Sequence, residues 1–417
     1  MYRYLIMYLA LPMIILASCQ SKTQNKKQTS NSEPNIASGK YLGTIINQNG
    51  AEVPFFIRLS ENLQTITLIN GKDEVILDEI NYKDDSIEVI LLNYDGKLIF
   101  KPEDNTLNGR YVKADYQLPF TAKKGESLDR FEGMNETPAR NITGKWQTTF
   151  ISPEGKKTEA IGILDQIGNK ITGSFLTPSG DYRFLEGVVS GNKVMLSTFD
   201  GGFLYLFTAE IINDELTNGK FHSGKSYLAT WSATANENAK IKDLSMETYL
   251  KEGFEKISFS FPNLDSKTVS LEDEKFKDKV VILQILGSWC PNCLDEMKFL
   301  SPYYNENKDK GLEIIGLAFE KAENLESAQK KLNKLKKRFD VNYELLFAGK
   351  REKGATAKAL PMLSKVVSYP TTIFIDRKGN IRKVHAGFSG PGTGEYYDKY
   401  VEEFNDLMNE LLNEVSI

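Results

Sequence analysis

Cysteine is scarce in this chain: 417 residues hold three, Cys19, Cys290 and Cys293. That excludes a scaffold stapled by disulfides, which needs a dense cysteine framework. Histidine is scarcer, with two, and His222 and His385 are isolated from each other. With no second cysteine pair to join them, a four-ligand structural zinc site lacks donors and no metal is expected. Charge of one sign is lacking too, since 52 Lys and Arg face 56 Asp and Glu for a formal −4. No global basic field exists to attract nucleic acid. What is there is ordinary globular composition, 41% apolar and 26% charged, which excludes pervasive disorder and multi-span membrane folds. The length suits two or three domains.

The N-terminus stands apart. Arg3 precedes an apolar run, Tyr4 to Ala17, long enough for a signal-peptide core and short for a spanning helix. The run ends in Leu16-Ala17-Ser18-Cys19, which resembles the lipobox of bacterial lipoproteins. The resemblance implies a signal peptide over 1–18, cleavage before Cys19 and a lipid on its sulfur. An ordinary signal peptide with an incidental cysteine is the alternative. Residues 19–38 then form the lipidated cysteine and a polar tether of Ser, Thr, Asn, Gln and Lys, reaching on the order of 25 Å as a flexible coil.

Residues 39–235 read as strands throughout. Runs such as Val53 to Leu59 and Leu204 to Ile212 alternate with turn signals at Asn49-Gly50, Asp95-Gly96 and Gly191-Asn192. Two stretches match: Gly39-Lys40-Tyr41 with Gly144-Lys145-Trp146, and Asn108-Gly109-Arg110-Tyr111 with Asn218-Gly219-Lys220-Phe221. Tandem β-meander repeats are expected over 39–125 and 144–235, each of about eight strands, as small barrels or sandwich halves, joined by a connector over 126–143. His222 reads as a structural histidine. The region reads as a spacer and docking platform, or alternatively as a binder of an apolar ligand or a client.

After a linker over 236–256, residues 257–417 change character. The apolar run Val280 to Leu286 has the pattern of a strand covered on both faces and leads to Trp289-Cys290-Pro291-Asn292-Cys293. Beyond the helix that follows, strands are predicted at 312–319, 343–347, 371–376 and 381–386, and helices at 324–339, 355–366 and 394–415. This order makes a mixed sheet with helices on both faces, a thioredoxin-like α/β domain.

Two residues between cysteines in a first helical turn bring the sulfurs within disulfide range. The first sits at the helix N-terminus, where unpaired N–H groups favour a thiolate. Cys290 reads as an exposed nucleophile and Cys293 as the resolving thiol of a redox-active disulfide. Pro291 suits the first turn because it has no N–H to leave unsatisfied. Glu296, three residues beyond Cys293, is placed to relay a proton as a partly buried carboxylate, or is a solvated helix charge. Lys330, Lys331, Lys334, Lys336, Lys337 and Arg338 close the next helix and read as a solvated face suited to its dipole.

Residues 257–415 resemble the TlpA/ResA-like family of extracytoplasmic, membrane-anchored thiol-disulfide oxidoreductases. The matching residues are Phe261-Pro262-Asn263-Leu264, the strand 280–286, Trp289 to Cys293, and Ser368-Tyr369-Pro370-Thr371-Thr372 through Asp376. The resemblance implies a cis peptide bond before Pro370 and substrate contact at Trp289, Pro291, Tyr369 and Pro370. It also implies a carboxylate at Glu296 that tunes the thiols. Many thioredoxins carry a buried Asp where this chain has Gln284, which cannot titrate, so Glu296 is the better proton acceptor. A peroxiredoxin reading lacks its Pro-x-x-x-Thr-x-x-Cys context.

The expected enzyme exchanges thiols and disulfides on protein substrates without a dissociable cofactor. It acts in the cell envelope of a bacterium and more as reductant than oxidant, in cytochrome c maturation or general disulfide reduction. Its implied partners are protein disulfides or dithiols, a membrane redox donor of the thiol-disulfide type and the membrane through the lipid. A lipid-anchored surface binding module, with the β repeats as the working part, is the alternative.

Overall fold

The computed structural model describes residues 36–91 and 94–414. The signal peptide, Cys19 and most of the tether lie outside the described residues. Alternating apolar and polar residues, punctuated by Asn-Gly and Asp-Gly turns, build two antiparallel sheets of nine strands each. The sequence predicted about eight. The additional elements are short: the hairpin arm Ile80–Lys83 in one sheet and the two-residue strand Gly180–Asp181 in the other.

The first sheet spans Gly39 to Lys124. Gly39–Ile46 pairs with both Glu52–Leu59 and Tyr116–Lys124, and the sheet ends at Asp73–Leu77 on one side and Ile80–Lys83 on the other, with no ladder joining them among the described residues. The second spans Gly144 to Ala235. Here Gly144–Ile151 pairs with Lys157–Ile167 and Tyr227–Ala235, while Lys170–Thr177 pairs with both Lys157–Ile167 and Leu185–Ser190, which closes the circuit. Both are barrel-like, one open and one closed.

Each sheet wraps its own aromatic core, around Phe55, Phe100 and Phe120 in the first and Phe175, Phe207 and Trp231 in the second. The two also pack together, because Phe199, Leu204 and Leu206 of the second sheet join the core of the first. Between them Arg130 is buried, with its guanidinium bonded to Glu186 at 2.7 Å and to the carbonyl of Ile69 at 3.0 Å.

In the C-terminal domain a five-stranded sheet runs in the order Glu344–Lys350, Leu312–Glu320, Val280–Leu286, Thr371–Ile375, Ile381–Ala386. The first two pairings are parallel and the last two antiparallel. Four helices accompany it: α1 (Pro291–Asn307), α2 (Leu325–Arg338), α3 (Ala355–Ala359) and α4 (Glu395–Asn413). A reciprocal capping box between Asn324 and Ser327 starts α2. Helix α3 is shorter than the predicted 355–366, since Pro361 supplies no N–H to continue it.

The basic end of α2 is largely solvated as expected, with Lys334, Lys336, Lys337 and Arg338 exposed, but it also touches the first β region: Lys331 pairs with Asp95 at 2.7 Å, Lys334 with Glu79 at 2.7 Å, and Arg338 donates to the carbonyl of Ile76 at 2.9 Å.

Candidate functional site

The strand Val280–Leu286 is buried along its whole length and carries the chain to the start of α1. Cys290 is the N-cap of that helix: its sulfur accepts the backbone N–H of Cys293 at 3.3 Å, and Pro291 takes the first helical position. The Cys290 thiol donates to the carbonyl of Tyr369 at 3.3 Å, and the Tyr369–Pro370 bond is cis. The Trp289 ring meets that of Tyr369 edge-on at 5.2 Å, while its indole N–H donates to the Phe319 carbonyl at 2.8 Å. Beneath this turn the buried carboxylate of Glu320 accepts from the Ser288 backbone N–H at 2.7 Å and its hydroxyl at 2.6 Å. The fold thus gathers Trp289, Cys290, Pro291, Cys293, Tyr369 and Pro370 in one place.

Both cysteines are free thiols. Cys290 is 5% exposed and Cys293 0%, so the expectation of an exposed nucleophile is corrected. The cover comes from both β regions, since Tyr94 of the first joins the buried cluster that holds both cysteines and the second packs on the turn itself. The Asn292 side chain donates to the carbonyl of Asp181 at 3.2 Å. Gly202 lies so close to Pro291 that an added Cβ would stand 2.8 Å from its ring.

Glu296 is wholly buried, where the sequence suggested partial burial. It accepts from Gln284 Nε2 at 2.7 Å, Thr372 Oγ1 at 2.7 Å and the Tyr400 hydroxyl at 3.4 Å. Burial pushes its carboxyl up to about 7, against the opposing pull of those three hydrogen bonds. Gln284 also reaches the Cys293 carbonyl at 3.5 Å, tying the carboxylate to the helix turn that holds the thiols. The Cys293 thiol is pushed up as well, by burial first and then by its neighbour Cys290.

Several residues of the site escaped the sequence reading. Tyr400, Thr372 and Asp295 had no role in the site assigned to them there. Asp295 instead binds Arg183 of the second β sheet through two contacts, 2.8 and 3.1 Å. Arg183 also binds Asp200, and Asp73 of the first sheet at 3.2 Å. One guanidinium thereby ties both β sheets to α1 just beyond Cys293.

Thiol-disulfide oxidoreductase ResA of Bacillus cereus is 31% identical to this chain over 159 residues, 38% of this chain and 82% of the relative. The chain belongs to this family of thiol-disulfide oxidoreductases. Thioredoxin-like protein YneN of Bacillus subtilis is likewise 31% identical to this chain, over 141 residues, 34% of this chain and 75% of the relative. The AhpC/TSA family model matches residues 254–384, the thioredoxin-like part. Leu283 and Gly287 stand where the peroxiredoxin context would place Pro and Thr. Among solved structures, the thioredoxin domain of a thiol-disulfide oxidoreductase from Bacteroides vulgatus is 23% identical with a TM-score of 0.28, covering 37% of this chain and 99% of that one. No helix among the described residues is long and apolar enough to cross a membrane.

Proposed function

We propose that this oxidoreductase reduces disulfides of protein clients outside the cytoplasm, in the cell envelope. A lipid on Cys19 holds it at the membrane, and a membrane donor of the thiol-disulfide type recharges it. The Cys290 thiolate attacks one sulfur of the client disulfide, forming a mixed disulfide and releasing the other sulfur as a thiolate that takes up a proton. Cys293, deprotonated, then attacks Cys290 Sγ, releasing the second client thiol and leaving a Cys290–Cys293 disulfide. The client gains two electrons and two protons, and the enzyme's dithiol loses them. Apocytochromes in cytochrome c maturation and misoxidised proteins in general are the client pools this reading covers.

The observation that carries the reading is the Cys290 sulfur at the N-cap of α1, bonded by the Cys293 N–H, with Cys293 buried behind it. Glu296 serves as proton acceptor for Cys293, with Gln284 holding its carboxylate beside the turn that carries the thiol by donating to both Glu296 and the Cys293 carbonyl. Trp289, Pro291, Tyr369 and Pro370 frame the client segment. Burial pushes the Cys293 thiol up, so it needs a proton acceptor before it can attack the mixed disulfide.

Insulin reduction compared between the wild type and Cys290→Ser tests the chemistry. Loss of turnover is expected, and equal rates would remove the enzyme reading. Cys293→Ser is expected to hold clients as mixed disulfides that can be isolated and identified.

A further inference from the structure

Cys290 lines a cleft of about 470 Å³ with walls from different parts of the chain, while Cys293 is buried behind it. Tyr182 and Phe203 of the second β sheet line one side, Trp289 and Tyr369 the other, with Cys290 at the floor. The β wall is held in place. Besides the Arg183 cluster, Asn292 bonds the Asp181 carbonyl, and an added Cβ on Gly387, beyond the strand Ile381–Ala386, would stand 2.9 Å from the backbone of Ser179.

Two cations stand on the indole at the rim. The guanidinium carbon of Arg351 lies 3.6 Å from the Trp289 ring centroid and the Lys321 ammonium 5.9 Å from it. Neither is paired with a carboxylate among the described residues. Burial first and then the repulsion of Arg351 push the Lys321 ammonium down, against the weaker opposing pull of Asp95 and Glu320.

We propose that the second β sheet and this cation pair select the client: an extended polypeptide segment bearing the disulfide, with acidic residues beside it. The proposal rests on Cys290 as the attacking thiol. The cleft volume lies within the range of pockets that enclose small ligands, about 300–1,000 Å³. A folded partner docking by its surface requires about 800 Å² of contact on each side, which the β wall standing over Cys290 obstructs. An extended segment threads between the aromatic walls, and an acidic side chain at the rim relieves the repulsion between Lys321 and Arg351.

The test uses the full-length chain and two synthetic disulfide peptides, identical except that the disulfide is flanked by Glu in one and Lys in the other. Bis(2-hydroxyethyl) disulfide, small and uncharged, reports the thiol chemistry alone. Its reduction by the wild type, with loss in Cys290→Ser, secures the underlying reading independently of the cleft. The Glu peptide is expected to show a kcat/KM about tenfold above the Lys peptide at low salt, and Lys321→Glu with Arg351→Glu to invert that preference. Equal rates for the two peptides in the wild type would overturn the charge selection. Tyr182→Ala with Phe203→Ala is expected to raise the KM for the Glu peptide about fivefold. An unchanged KM would remove the β sheet from the site.

Discussion

Glu296 is wholly buried, and three donors pull its carboxyl down less than burial pushes it up, to about 7. Between its ordinary value of 4.5 and about 7 the folded chain keeps a proton that the unfolded chain has released. Stability therefore falls as pH rises through that window and stays lower above it. Glu296→Gln removes the penalty, so urea unfolding is expected to show the variant gaining on the wild type between pH 5 and pH 8, by up to about 3 kcal/mol at 1.36 kcal/mol per pH unit. The same substitution is expected to slow resolution of the mixed disulfide and to flatten its pH dependence near 7, read by stopped-flow fluorescence of Trp289. An unaltered resolution profile between pH 6 and 9 would separate Glu296 from the chemistry. The motif made Cys290, Cys293 and Glu296 legible because their spacing along one helix is local information. Thr372 and Tyr400, which complete the Glu296 site, come from a strand and a helix 76 and 104 residues further on, and no local pattern couples them.

At the scale of elements, local pattern and tertiary context diverge most in α2. Its basic end satisfies the helix dipole whether or not anything lies opposite, so the sequence could not distinguish a solvated face from a docked one. The partners, Asp95, Glu79 and the Ile76 carbonyl, lie about 240–260 residues earlier in the chain. Both charge pairs are partly exposed, which limits each to about 0.2–1 kcal/mol. Lys331→Ala and Lys334→Ala are expected to lower stability by no more than that each, with the difference from the wild type shrinking in high salt, measured by chemical denaturation. By contrast Val280–Leu286 was fully legible: seven buried residues in the centre of a sheet need an apolar run, and the run is there. Helix α3 failed because apolar spacing continued past Pro361, where the backbone could not.

Across the whole molecule, the join between the β region and the thioredoxin-like domain depends on Arg183. Its guanidinium faces three carboxylates, Asp73, Asp200 and Asp295, and burial raises the first and last of these. Arg183→Met leaves those carboxylates without their counter-ion, and removing one partner of a buried ion pair costs about 3–5 kcal/mol. The wild type is expected to unfold in one calorimetric transition and the variant earlier, with the β sheets and the α/β domain separating into two. A single unshifted transition would show that apolar packing alone couples them. None of this was readable in advance. Each of the four residues is an ordinary strand, loop or helix charge where it stands, and only the folded chain brings them together.

The open first sheet carries one more consequence. At Asp73–Leu77 its last strand has no further ladder partner among the described residues, and the Ile76 carbonyl on that strand is occupied by Arg338 of α2. The C-terminal domain thus acts as a guard against strand addition, the route by which bare sheet edges nucleate aggregates. A chain truncated before residue 240 is expected to self-associate in size-exclusion chromatography, while the intact protein does not do so through this edge. Fusing the two halves into one polypeptide protects solubility as well as placing a wall beside the thiols.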